Sequence, residues 1–250
     1  MAKITDPRDI FPDITADYSG IYGDDLISIT LYGSAAGADY RPGKSDLNFL
    51  VVLSDDAIDH LDRAMDTVSR WRKKNVAIPL FMTPAYIDSS LDSYPLEFLN
   101  MQRMYLPVYG EDVLKDISFP PDHLRLQCER EIKGKLLLLR EGFLRTEGNK
   151  RRMKEVISAS ITAFISIFCG ILYLKGVDIP ARRRQVLQVV ATEIPVDDTV
   201  FIRCMDIKEG QRDYSAAEMK DVFTDYIKEV RKLWEYVDKM EIEALIKDEL

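Results

Sequence analysis

The sequence predicts an α+β protein in two parts: a small mixed-sheet domain over residues 1–118 and an all-α helical bundle over residues 119–250. Three observations lead to this prediction. Short β-branched and apolar runs, which are typical of strands, lie in the first part. The consecutive prolines Pro120 and Pro121 stop both helices and central strands, so they mark a boundary. Beyond them, apolar residues recur at the period of amphipathic helices.

The first part reads as alternating helices and strands. Its periodic segments predict, in chain order, a short helix, two strands, a longer helix and a third strand: 14–23, 26–32, 49–53, 55–74 and 76–82. The second strand is a continuous apolar run, which is typical of a strand buried on both faces. Pro79 places the third strand at an edge or at a bulge. The segment 89–109 is irregular and rich in aromatic residues, and we expect it to pack against the sheet.

The second part is helical throughout. Its periodic segments predict five helices: 123–145, 156–174, 183–192, 199–207 and a last long helix from residue 215 onward. The last helix begins with Ser215, and Glu218 follows three residues later. This spacing predicts a capping box, in which each of the two side chains accepts a hydrogen bond from the other residue's backbone N–H.

The second of these helices is apolar enough to raise the question of a membrane. Residues 156–174 contain no charged residue, and that length could span a bilayer. Small side chains recur every four residues within it: Ser158, Thr162, Ser166 and Gly170. Such a stripe allows close helix packing, and the rest of the chain is strongly charged. We therefore predict a buried bundle helix and no membrane insertion.

Composition excludes several classes of function. The chain is 46% hydrophobic and 30% charged with a net charge of −8, so it has no overall attraction for DNA or RNA, and we expect no nucleic-acid partner. Cys128, Cys169 and Cys204 lie far apart among apolar neighbours, which predicts reduced core thiols. With only His60 and His123 as histidines, a zinc site or a histidine-based triad is not expected. The first residues lack an apolar signal core, which predicts a cytoplasmic protein.

The segment 31–53 carries the pattern of a metal–nucleotide site. A strand ends in the turn Gly33-Ser34, a polar loop of ten residues follows, and Asp46 and Asn48 stand at the start of an apolar strand. Side chains two residues apart on a strand project from the same face, so this pair can share one metal ion. A Gly-Ser turn offers backbone N–H groups and a hydroxyl to a phosphate.

This pattern resembles the nucleotidyltransferase superfamily, which includes DNA polymerase beta and the aminoglycoside nucleotidyltransferases. Its members show Gly-Ser, a loop of about ten residues, and Asp-x-Asp opening an apolar strand, and bacterial members often append a helical bundle. The resemblance implies a nucleotidyltransferase-like fold for the first part, with Mg²⁺ and an NTP such as ATP as cofactors. It assigns the metal and the catalytic role to Asp46 and Asn48. It assigns nucleotide binding to the loop residues: Gly33, Ser34, Arg41 and Lys44.

The sequence also departs from the family pattern. The first family aspartate matches Asp46, but the second position holds the neutral Asn48. The third family carboxylate belongs on the strand 76–82, which contains no acid. We therefore predict a degenerate carboxylate triad, in which Asp39 or Glu97 is a candidate replacement for the missing group.

Three functional hypotheses follow from these residues. The favoured one is a nucleotidyltransferase-fold protein that binds a nucleotide or another small molecule in the cleft between its two domains, with weak or no catalysis. The alternative is an active Mg²⁺-dependent nucleotidyltransferase, which transfers a nucleoside monophosphate from an NTP to a small-molecule or protein hydroxyl. The third is a structural protein with a vestigial cleft. In each case the helical domain is the expected surface for a homodimer.

Overall fold

A computed structural model describes residues 4–241 of the chain. The chain divides into two compact units, Met1–Phe119 and Pro120–Leu250. Within the described residues, the first unit combines a four-stranded sheet with short helices, and the second unit contains helices alone. The predicted fold class, an α+β unit followed by a helical one, is confirmed.

The sheet of the first unit is mixed. The regular elements of this unit are α1 (Phe11–Tyr22), β1 (Leu26–Tyr32), β2 (Asn48–Leu53), α2 (Met65–Arg72), β3 (Leu80–Met82), α3 (Pro84–Ser90), α4 (Pro95–Arg103) and β4 (Tyr105–Gly110). The strand order is β3-β2-β1-β4. β1 runs antiparallel to both β2 and β4, and β3 runs parallel to β2. The central strands β1 and β2 therefore form a platform whose ends can carry a site.

The core of this unit lies between α1 and one face of the sheet. The sheet contributes side chains that are 0% exposed: Ile29, Leu31, Phe49 and Val51. The helix contributes one apolar stripe: Ile14, Tyr18 and Tyr22. All residues of β2 from Phe49 to Leu53 are 0% exposed, so the predicted burial on both faces is confirmed. This burial fixes the register, since a shift by one residue would turn the polar start of β2 toward the core.

The third strand is shorter than predicted. Within 76–82, only Leu80–Met82 forms a ladder with β2, and Val76 makes a single parallel bridge with Leu47. The segment between bridge and ladder contains one residue more than the matching segment of β2. Pro79 lies there, and it has no N–H to donate to a ladder. The edge position and irregularity that Pro79 predicts are both present.

The second unit packs its helices around α6. Its helices are α5 (Pro121–Arg145), α6 (Lys150–Leu174), α7 (Arg183–Glu193), α8 (Asp198–Glu209) and α9 (Ala216–Asp238). α6 contacts each of the other four. Ser215 and Glu218 form the predicted capping box at the start of α9.

α6 is the apolar helix of the sequence. It is long and apolar enough to cross a membrane by length and composition, and 56% of its most apolar window is buried inside the structure. Its small-residue stripe accommodates a lysine of α8. The Lys208 Nζ donates to the Ser158 carbonyl at 3.1 Å and also to the Thr162 hydroxyl. Burial, reinforced by the nearby Arg183, lowers the pKa of the Lys208 amine. The contacts of α6 are those of a helix at the centre of a bundle.

Gly110→Ala is expected to destabilise the first unit. Gly110 ends β4 at φ +72°, and a Cβ added there would lie 1.9 Å from the Ile27 carbonyl oxygen. A left-handed backbone and a clash with main chain together predict a loss of about 2 kcal/mol or more in the free energy of unfolding. Gly20→Ala in α1 is the matched control, because its Cβ would meet nothing within 4 Å. Denaturant titration should show Gly20→Ala at least as stable as the parent.

Candidate functional site

The Gly-Ser turn and the start of β2 meet at one end of the sheet. Tyr32, the last residue of β1, pairs with Asn48, the first residue of β2. Gly33 therefore lies directly beside Asn48, and a Cβ added to Gly33 would be 3.6 Å from the Asn48 amide nitrogen. The antiparallel register thus brings together two motifs that are separated by a ten-residue loop in the sequence.

Gly33 opens a short 3-10 turn, Gly33–Ala36. Its backbone is left-handed, with φ +78°, a conformation that glycine adopts without strain. Its N–H donates to the Met104 carbonyl at 2.8 Å, which ties the turn to the start of β4. The Gly37 N–H closes the turn by donating to the Ser34 carbonyl at 3.3 Å. Ser34 is half-buried, so this turn holds a hydroxyl at the end of β1.

Arg41 and Lys44 lie on a tight turn within the loop. The N–H groups of Lys44 and Ser45 donate to the Arg41 carbonyl at 3.0 and 2.9 Å, and the Arg41 N–H donates to the Ser45 hydroxyl at 3.1 Å. Both cationic residues are exposed. Both lie in the loop between Ser34 and Asp46.

Asp46 and Asn48 share one face of the chain. Leu47 between them is 1% exposed and belongs to the core, so its neighbours on either side project from the opposite face. Asp46 is exposed and Asn48 is half-buried. Among residues 4–241, no group of three or more His, Cys, Asp or Glu side chains is close enough to hold a metal ion. The site therefore offers one carboxylate and one amide oxygen.

Ala77 occupies the neighbouring position on the segment that precedes β3. The parallel bridge pairs Leu47 with Val76, and the Ala77 N–H donates to the Leu47 carbonyl at 2.9 Å. Val76 is in the core with Leu47, so Ala77 projects from the same face as Asn48. The side chain beside Asn48 on this segment is thus a methyl group.

The two candidate replacement carboxylates lie on other elements. Asp39 is half-buried in the loop, and Glu97 is exposed in the first turn of α4. Neither residue belongs to β2 or to the bridged segment around Ala77.

Two tyrosines that no sequence motif indicated lie in register with Asn48 on the strands β1 and β4 of the sheet. Tyr32 pairs with Asn48 on one side and with Tyr105 of β4 on the other. Burial raises the pKa of the Tyr32 hydroxyl. The Tyr105 hydroxyl donates to the Asp112 carboxylate at 3.1 Å, and burial together with this carboxylate raises its pKa. Because Tyr32 directly precedes Gly33, the sequence could have indicated that it lies beside the site. Tyr105 could not be placed there, because it lies on β4, a strand that the sequence does not predict.

Comparison with known proteins agrees with this architecture. No family model and no curated protein matches the sequence. Similarity to solved structures shows that the chain has the nucleotidyltransferase fold. One such structure is the spectinomycin adenyltransferase AAD(9) from Enterococcus faecialis, crystallised with ATP and spectinomycin. The match has a TM-score of 0.52 at 12% identity, and it covers 91% of this chain and 99% of that chain.

Proposed function

We propose that this protein binds a nucleotide at the end of the sheet where the Gly33-Ser34 turn meets Asp46 and Asn48, and that it transfers nucleotidyl groups weakly or not at all. The observation that carries the proposal is that the neutral Asn48 and Ala77 follow the bridged residues Leu47 and Val76 side by side, where a metal-dependent transferase would need carboxylates. The adenyltransferase of the same fold was solved with ATP and a small molecule, which supports these two ligand classes here.

The residues present fit one Mg²⁺ ion that arrives with its nucleotide. Mg²⁺ commonly keeps several waters and takes one or two carboxylates together with substrate phosphates. Asp46 supplies the carboxylate, and the Asn48 side chain supplies a neutral oxygen. A bound Mg²⁺ would neutralise phosphate charge. A second ion would find no further carboxylate on this face, because the neighbouring position is Ala77.

The turn and loop supply the phosphate contacts. The Gly33–Ala36 turn offers backbone N–H groups, and Ser34 adds a half-buried hydroxyl. The exposed Arg41 and Lys44 add positive charge that can follow a flexible triphosphate. Binding therefore has more support from this chain than transfer, because transfer also needs a base for the acceptor hydroxyl.

Nucleotide binding is expected to raise the melting temperature only when Mg²⁺ is present. The wild-type chain is titrated with ATP, CTP, GTP and UTP, with and without Mg²⁺, in thermal-shift and calorimetric measurements. At a ligand concentration one hundred times the Kd, linkage predicts about 2.7 kcal/mol of stabilisation. Asp46→Ala should abolish the effect, because it removes the only carboxylate of the pair.

Asp55→Ala is the matched control, since Asp55 is an exposed aspartate just beyond the far end of β2. It should bind the nucleotide like the wild type. No stabilisation by any of the four nucleotides, or equal binding by Asp46→Ala, would show that the proposed site does not operate.

A further inference from the structure

The outer face of α5 exposes an unusual number of leucines. Leu126, Leu137 and Leu144 are 56%, 65% and 76% exposed, and we call them the α5 leucine face. α5 packs on α6 and α9 through its other residues. Single exposed leucines are ordinary, but several on one helix mark an interaction surface. At 3.6 residues per turn, Leu126, Leu137 and Leu144 lie within about 20° of one another around the helix.

A recess and two opposite charges accompany these leucines. Gly134 is exposed on the same side of α5, and a Cβ added there would meet nothing within 4 Å. Arg130 and Glu141 are exposed on this side as well. The residues Arg130, Gly134, Leu137 and Glu141 follow one another at intervals of four, three and four, which is the spacing of a helix–helix seam.

We propose that the α5 leucine face is a homodimer interface, in which α5 packs antiparallel against α5 of a second copy of this chain. A two-fold axis between Lys135 and Leu136 brings Leu126 to within one residue of the position opposite the partner's Leu144. The same axis places Leu137 over the partner's Gly134 and Glu141 opposite the partner's Arg130. By symmetry each of these three contacts is made twice.

The coincidence of the three contacts selects a second copy as the partner. In an isologous interface one surface must complement itself. Here a projecting leucine meets a glycine recess and an acid meets a base about one centre, and the two outer leucines come within one residue of each other about the same centre. A partner surface of a single charge sign would instead place a like charge against Arg130 or Glu141.

The contact is small, so the dimer should depend on concentration. From Leu126 to Leu144 the helix runs about 27 Å. A pair of helices of that length lies toward the lower end of stable interfaces. Sedimentation equilibrium or light scattering over about 1–200 μM, a range in which weak interfaces associate, should therefore show a monomer–dimer transition.

Charge reversal tests the register of the helices. Glu141→Arg places two arginines opposite each other, and Arg130→Glu places two glutamates opposite each other. Each single variant should raise the dimer Kd at least about tenfold. The double variant Arg130→Glu with Glu141→Arg should restore the dimer, and an equimolar mixture of the two single variants should form heterodimers. Glu141→Arg also removes an exposed ion pair with Arg145, which has little effect on folding.

Cross-linking provides a second measurement. The double variant Leu126→Cys with Leu144→Cys should form a covalent dimer on mild oxidation, because its two new thiols lie too far apart on one helix to join each other. The natural cysteines Cys128, Cys169 and Cys204 are buried, so the parent chain should form none. Met65→Lys, at an exposed residue of the first unit, is the control that should leave association unchanged. A monomer at every concentration, or a dimer unaffected by the single charge reversals, would overturn the proposal.

Discussion

Asn48→Asp combined with Ala77→Asp is expected to create measurable nucleotidyl transfer, at a rate well above the weak or absent transfer proposed for the wild type. The two substitutions place one carboxylate at the start of β2 and one on the bridged segment beside it, on the same face as Asp46. Three carboxylates can hold two Mg²⁺ ions and accept a proton from the attacking hydroxyl. Each such group typically contributes a factor of about a hundred or more in rate.

Water serves as the acceptor in the assay, because the natural acceptor is not needed to detect cleavage. Pyrophosphate release from ATP is followed with Mg²⁺ present, and Mg²⁺ affinity is measured by calorimetry with a non-hydrolysable ATP analogue. The double variant should release pyrophosphate at least about a hundredfold faster than wild type and bind Mg²⁺ more tightly. Its melting temperature should fall without Mg²⁺, because three carboxylates then repel one another, and should recover when the metal is added.

Two controls separate restored chemistry from contamination or misfolding. Asp46→Ala in the double-variant background should remove the gained activity, since Asp46 is the one carboxylate that the wild type provides. Ala77→Asp alone should gain little, because Asn48 remains neutral. Wild-type turnover as fast as that of the double variant would contradict weak catalysis and would indicate that a carboxylate from another element completes the site.

The central part of the site was predictable because its signals are local. A continuous apolar run identified β2, and the polar residues immediately before it identified Asp46 and Asn48. The position of Ala77 was not predictable, because it depends on a parallel register that Pro79 interrupts. Sequence showed that the third strand lacks an acid, whereas only the structure shows which residue stands beside Asn48.

β4 was missed because tertiary contacts, not local pattern, hold it in the sheet. Its sequence is short and contains Pro107, which weakens any strand signal. The segment after β4 is fixed by a long-range contact: the Gln102 side-chain amide donates to the Leu114 carbonyl at 2.8 Å and to the Ile117 carbonyl at 3.0 Å. No periodicity in the sequence reports such a contact.

The helices of the second unit were predicted more closely, and the largest difference has a local cause. The apolar run predicted that α6 begins at residue 156, whereas it begins at Lys150. The Asn149 side chain caps the helix by accepting a hydrogen bond from the Arg152 N–H at 3.1 Å. Residues 150–155 carry charged side chains apart from the buried Met153, so an apolar pattern does not report these first turns. In the first unit, the helix predicted over 55–74 also differs from the structure. It begins as a 3-10 segment, Ile58–Ala64, in which His60 has non-helical backbone angles.

Phe201→Ala is expected to cause the largest loss of stability in the helical unit. Phe201 of α8 is 0% exposed and stands edge-on to two rings. Its ring centroid lies 4.9 Å from that of Phe168 on α6 and 5.7 Å from that of Tyr226 on α9. Removing it leaves a cavity at the junction of three helices and ends both aromatic contacts. Core Phe→Ala changes of this kind lower the free energy of unfolding by about 3–5 kcal/mol.

Variants that remove different volumes distinguish the effect of a cavity from a general sensitivity of the unit to substitution. Phe201→Leu retains most of the volume and should cost about 1–2 kcal/mol, whereas Lys220→Ala on the exposed side of α9 should cost less than about 0.5 kcal/mol. Guanidinium titrations in a Trp71→Phe background leave Trp234 of α9 as the single tryptophan, so its fluorescence follows this unit. A loss below about 1 kcal/mol for Phe201→Ala would be too small for a fully buried ring, and would mean that α6, α8 and α9 do not share a packed core at this residue.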